Sequence, residues 1–248
     1  MAERGEITPL RRRLRAFTNA RVAIGRVGHS VPTAAMLEFQ LAHARARDAV
    51  HNALTPGVVE QGLEGWTLLH VHSGAPDRAT YLLRPDLGRQ LRPEDAAVLR
   101  GEKSQLAIVI ADGLSATATM AHGAALARAI VERVGQNWQI GPMVIAHQAR
   151  VALGDEIGEA LGAEMVVVLI GERPGLSAAD SLSAYLTWAP RRGRLDSERN
   201  CISNIRPPHG WSIADAADEI ARILSRARAA RCTGVALPGG EALTAENI

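Results

Sequence analysis

Residues 165–176 read MVVVLIGERPGL. An unbroken aliphatic run, Met165–Ile170, stops abruptly and delivers Glu172, Arg173, Pro174 and Gly175 in succession. A run with no polar alternation predicts a central strand of a parallel sheet, covered on both faces. Gly171 and Gly175 bracket a turn at which backbone can come close to another group. In open α/β sheets, ligands lie beyond the carboxyl ends of the strands. Glu172 and Arg173 therefore stand where such a fold places ligand contacts, although the same pair would serve equally to solvate a strand end.

The rest of the chain extends this pattern. From Leu106 onward, apolar runs and helical periodicities alternate. LAIVIA (106–111) predicts a strand, and Ser115 predicts the cap of a helix running to Val134 and stopped by Gly135. Met143–Ala146 predicts a strand, Arg150–Leu153 a short extended piece, and Asp155–Leu161 a short helix ending at Gly162. After the 165–170 strand come short strands at Tyr185–Trp188 and Cys201–Ile205, an amphipathic helix at Ile213–Arg228 and a last strand at Gly234–Leu237. This alternation predicts right-handed crossovers and an α/β fold with a Rossmann-like, mostly parallel sheet. The first third differs. Helices are expected at 9–19, 33–54 and 93–100, with Leu37, Leu41 and Ala44 on one face of the second, and a short strand at 66–72. The expected division is a mainly helical N-terminal region, 1–100, and a Rossmann-like domain, 101–248.

Charge and composition exclude several classes of function. The formal charge is +2, Lys103 is the only lysine among 28 basic residues, and aromatics make up 3%. Nucleic-acid platforms interleave basic and aromatic side chains, and this chain does not. No apolar run reaches membrane-spanning length. Cys201 and Cys232 have neither C-x-x-C nor metal-ligand spacing, and no signal-peptide pattern opens the chain, so a reduced, cytoplasmic protein is expected.

Motifs of catalysis are missing. There is no G-x-G-x-x-G after a strand, no phosphate-binding G-x-x-x-x-G-K-[ST], and no G-x-S-x-G. Asp112 closes a strand in ADGLS, where it would either hold a ligand or tighten the turn. His70 and His72 alternate on one strand face, without a third metal ligand nearby in sequence. The other histidines, His147 among them, are scattered. Asp155, Glu156 and Glu159 form an acidic helix face, which suits acid–base work or a plain dipole complement. Cys201 has no adjacent base to make it a nucleophile. Polar residues gathered at strand ends without a catalytic constellation suit a ligand-holding subunit better than a self-sufficient enzyme.

Six segments carry a resemblance: ARVAIGR (20–26), YLLRPDLGR (81–89), ADGLS (111–115), GDEIGE (154–159), GERPGL (171–176) and CISNI (201–205). In this order and spacing the chain resembles the small (light) subunit of ethanolamine ammonia-lyase over roughly residues 20–237. The resemblance implies a hetero-oligomer in which a large barrel subunit holds the substrate, ethanolamine. Adenosylcobalamin would lie between the subunits, and radical chemistry would yield acetaldehyde and ammonia. The protein would position the cofactor, which carries the hard chemistry.

The family's cofactor contacts fall on Val151, covering an apolar part of the cofactor, on Glu172, accepting hydrogen bonds from it, and on Cys201, by packing or backbone. No catalytic residue and no metal ligand is carried over. D-x-H-x-x-G is absent. The resemblance thus implies that the cofactor keeps its own dimethylbenzimidazole on cobalt, with no protein histidine as ligand. Some family members carry a longer leading segment tied to packaging in a bacterial microcompartment. The short stretch ahead of Ala20 leaves packaging open. The alternative is a non-catalytic cobalamin carrier or sensor. No partner of nucleic-acid or membrane type is expected.

Overall fold

The aliphatic run forms strand β4 (Met165–Gly171), in which every residue is buried. Its neighbour β2 (Leu106–Ala111) is equally buried throughout. Both are flanked in the computed structural model, which describes residues 13–14, 16–18, 20–22, 24–100 and 104–238. The strands β1 (Leu68–His72), β3 (Ile140–His147), β5 (Leu182–Trp188) and β6 (Arg199–Ile205) complete a six-stranded sheet in the order β1-β3-β2-β4-β5-β6. The first four in that order are parallel, and β5 and β6 are antiparallel to their neighbours. The α/β class and mostly parallel sheet read from the sequence are those observed.

Seven helices are used in the description: α1 (Thr33–His51), α2 (Arg78–Leu83), α3 (Pro93–Leu99), α4 (Ala116–Ala118), α5 (Ala124–Val134), α6 (Leu153–Ala160) and α7 (Ile213–Ala230). Two apolar layers sandwich the sheet. On one face Leu126, Ile130, Ile220 and Leu224 pack on Ile108, Val167 and Leu186. On the other, Leu99, Leu153 and Ile157 pack on Val109, Val144 and Val168. Each such fully buried aliphatic side chain contributes about 1.5–3 kcal/mol. Among the described residues no helix is long and apolar enough to cross a membrane.

Several sequence expectations are corrected. The helix after β2 starts on the Ser115 cap, whose hydroxyl accepts from Ala118 N–H at 3.2 Å, but a π-helical turn at Thr119–Gly123 interrupts it before α5. Residues 150–153 are not extended. Leu153 N–H donates to Arg150 O and Gly154 N–H to Val151 O, which makes a turn leading into α6. Gly234–Leu237 is not a strand. Gly234 has φ of +73°, and Gly234–Ala236 coil into a 3-10 turn. Helix α1 ends at His51 rather than 54, and its Leu37–Leu41 face is not buried: these leucines are 59% and 52% exposed. The expected helix 9–19 falls mostly outside the described residues.

The antiparallel half of the sheet positions the candidate site. Parallel strands need crossover helices, which cover both faces. β4, β5 and β6 are consecutive antiparallel strands and need none. Helix α7 covers one face of β5 and β6. On the other face α6 reaches only the far end, where Asp155 pairs with Arg199. Ser203 and Cys201 near the other end are left exposed.

Candidate functional site

The end of β4 is held by contact of backbone on backbone. Leu114 N–H donates to Gly171 O at 2.9 Å. A Cβ on Gly171 would lie 2.0 Å from Ser115 O, and a Cβ on Gly113, which has φ of +57°, would lie 2.2 Å from Gly171 O. Only glycine fits this pair, so the turn after β2 closes directly onto the residue preceding Glu172.

Glu172 is thereby fixed above β5 and β6. Its own N–H donates to Ser181 O. Ser181 Oγ donates to Oε2 at 2.5 Å. Oε1 accepts from Ser183 Oγ, from Ser203 Oγ at 2.6 Å and from Asn204 N–H at 3.0 Å. Burial alone would push this carboxyl upward in pKa; the three hydroxyls and the Asn204 N–H outweigh it and hold the group below its ordinary value. Glu172 is a stable anion that ties the end of β4 to both antiparallel strands. Ser181 and Ser183 flank Leu182 and so share a face. That spacing is a signal the sequence reading left unused.

A cleft of about 360 Å³ opens beside this carboxylate. Val151 and Glu172 both line it, together with Tyr81, Arg150, Arg173 and Tyr185. Cys201 is not among the lining residues; it is the cross-strand partner of Tyr185, which is. Desolvation raises the Cys201 thiol pKa, with Glu172 adding to the rise, and the hydroxyls of Tyr185 and Ser183 only partly oppose it. A thiol so shifted is a poor nucleophile. The Tyr185 phenol is likewise raised, mainly by burial. The cleft has hydrogen-bonding capacity and an apolar lip at Val151, but no nucleophile–base pair. A wider depression of about 660 Å³ between β6 and α7 includes Trp211, Asp215 and Glu219 and is far more open.

Asp112 is structural. It is 1% exposed, and its carboxylate accepts from Gln148 N–H at 2.8 Å and Ala149 N–H at 2.9 Å and pairs with Arg78 at 3.3 Å. It closes the crevice between the ends of β2 and β3. Arg78 also donates to Val50 O and Gly113 O, and so fastens α2 to the end of α1 and to the turn after β2. The acidic face of α6 is structural too. Asp155 makes a bidentate pair with Arg199, both side chains being 2% exposed, and Glu156 accepts from Leu91 N–H.

His70 and His72 do share a face, and His147, left among the scattered histidines, joins them. β1 and β3 pair in register at His72 and His147. The His147 ring stacks on both, at centroid distances of 5.5 Å to His70 and 4.7 Å to His72. His70 Nδ1 and His147 Nε2 share a hydrogen bond at 3.2 Å. Glu60 and Asp95 flank the stack. Burial, then the neighbouring His72 and His70, push His147 down to about 4. Among the described residues no group of three or more such side chains is arranged to hold a metal ion.

Comparison with known proteins bears on the whole chain. The sequence model of the family described as ethanolamine ammonia-lyase light chain (EutC) matches residues 10–238. A protein of Azotobacter vinelandii named ethanolamine ammonia-lyase small subunit is 52% identical over 233 residues, covering 90% of this chain and 86% of the relative. One of Bradyrhizobium diazoefficiens with the same name is 53% identical over 231 residues, covering 90% and 88%. One of Rhodococcus erythropolis is 44% identical over 243 residues, covering 93% and 94%. With a family model matched over most of its length and relatives at about half identity, the chain belongs to the ethanolamine ammonia-lyase light-chain family.

Proposed function

We propose that this chain contacts adenosylcobalamin through Val151, Glu172 and Cys201 as the small subunit of an ethanolamine ammonia-lyase, at the interface with a large barrel subunit that holds ethanolamine. The observation that carries the reading is the organised carboxylate of Glu172 beside Val151, at an end of the sheet where Ser203 is exposed among the described residues. The cleft also fits a large amide-bearing ligand. Hydroxyls whose protons go to Glu172 keep lone pairs to accept from N–H donors. Oε2 of Glu172 accepts one hydrogen bond and has capacity for another.

The cofactor, when bound, would supply the cleavable cobalt–carbon bond and hence the radical, and none of this chain's histidines is proposed as its ligand. This chain's residues do the holding. Val151 offers an apolar surface to the ring or its lower base. Glu172 and its serines fix polar peripheral groups. Cys201, its thiol pKa raised, packs beside Tyr185 and takes no part in attack. The partner closes the open side and excludes water from the site, which prevents side reactions of reactive species.

Acetaldehyde formation from ethanolamine and adenosylcobalamin tests the reading, with this chain alone, the large subunit alone, and both together. Turnover only in the mixture is expected. Cobalamin retention without turnover in the mixture would favour a carrier or sensor instead.

A further inference from the structure

The cleft holds more positive charge than its carboxylates neutralise. Tyr81 is fully buried and in contact with two guanidinium groups, Arg78 at 4.9 Å and Arg150 at 4.4 Å from its ring centroid. Asp112 pairs with Arg78. Arg150 pairs with no carboxylate among the described residues. Among the described residues its one side-chain hydrogen bond is from Nη2 to Tyr81 O at 3.4 Å, and its buried Nε has no acceptor. The phenol supplies no negative charge, because its O–H donates to Ala149 O at 2.9 Å.

Arg173 lines the same cleft, exposed, with no hydrogen bond or ion pair to the described residues. Among the described residues that line the cleft the one carboxylate, Glu172, already accepts from Ser181, Ser183, Ser203 and Asn204. A half-buried guanidinium without a counter-ion is unfavourable, and it is relieved when a ligand brings the missing anion. Arginine's planar fork matches phosphate oxygens in particular.

We propose that Arg150 and Arg173 form an anion subsite at the Tyr81 wall of the cleft, and that it takes the phosphodiester of the cofactor's nucleotide tail. The inference rests on the cobalamin reading above and deepens it. The peripheral side chains of cobalamin are neutral amides, and the phosphodiester is its one anionic group. The cleft is correspondingly two-ended: the Glu172–serine end accepts from amides, and the arginine end receives the anion.

The test is equilibrium dialysis of the two-subunit complex against cyanocobalamin and against cobinamide, which lacks the nucleotide and its phosphodiester. Arg150→Gln and Arg173→Gln should each weaken cyanocobalamin binding by about tenfold. Each should change cobinamide binding by less than about threefold. Arg150→Lys, which keeps the charge, should recover part of the loss. Arg173 is exposed, so Arg173→Gln carries the test if Arg150→Gln does not fold. Equal losses for both ligands, or no loss for cyanocobalamin, would overturn the subsite while leaving the cobalamin reading intact. A wild-type complex that retains neither ligand would overturn both.

Discussion

Glu172 joins three strand ends through one carboxylate, so substitutions there act in two ways. Glu172→Ala removes a charged acceptor from the cleft and also strands the hydroxyls of Ser181, Ser183 and Ser203. Loss of one charge-assisted hydrogen bond to the cofactor should cost about 1.5–3 kcal/mol, or roughly tenfold to a hundredfold in cobalamin affinity, with assembly retained. Ser203→Ala leaves the carboxylate in place and should cost less. Dissociation constants of the two complexes check this, and an unchanged value for Glu172→Ala would remove it as a contact.

His147 makes a separate prediction. Its folded pKa, about 4, lies below the ordinary value of 6.5, so the unfolded chain binds the proton more readily. Its contribution is fully present above about pH 6.5 and is lost as pH falls toward 4. The groups facing it are His70, His72, Glu60 and Asp95. Melting temperatures measured from pH 7.5 down to 4.5 should fall less steeply in His147→Asn than in the wild type.

At the scale of elements, the site depends on how closely the ends of β2 and β4 approach. Gly171→Ala would drive a methyl group into the carbonyl of Ser115, which is backbone and cannot rotate away. We expect a loss of stability of about 1–3 kcal/mol, the usual size of an overpacking penalty. Glu172, the next residue, should lose its register with Ser181 and Ser183. Urea unfolding gives the first effect and cobalamin affinity the second; an alanine variant matching the wild type in both would show that the contact yields. Elements also set what could be read in advance. The buried strands β2 and β4 declare themselves by unbroken aliphatic runs. The Gly234–Leu237 segment looks extended by composition, but a positive φ at Gly234 bends it, and nothing local announces that. The exposed Leu37–Leu41 face of α1 shows the same limit from the other side. Periodicity reports that a face is apolar, not what covers it.

At the scale of the molecule, the described residues build a two-layered core, and Cys201, Ser203 and Asn204 of β6 stay exposed among them. That is the architecture of a component, and it underlies the expectation that the isolated chain releases no ammonia from ethanolamine. Ammonia release by the purified chain would refute this. Apolar side chains are exposed along α1, at Met36, Leu37, Phe39 and Leu41. Apolar surface left exposed on a helix is common in proteins that work against a partner. Helix α1 borders the loop after β4, where its Glu38 and Leu41 line one depression with Leu176 and Asp180.

The class of fold, the central strands and the position of Glu172 at a carboxyl edge are legible in the chain alone. Those follow from local chain properties: aliphatic runs, caps, glycines and the rule that ligands gather at strand ends. The sequence also placed Val151 and Glu172 in segments that the fold brings to one cleft. Tertiary structure alone decided the rest. It made Asp112 and Asp155 structural by burying them against backbone N–H groups and Arg199. It drew His147 onto His70 and His72 through a strand pairing between residues far apart in the chain. It set Arg150 against Tyr81 without a carboxylate. Charge balance and burial are properties of neighbourhoods in space, and chain order does not encode those neighbourhoods until the sheet has chosen its strand order.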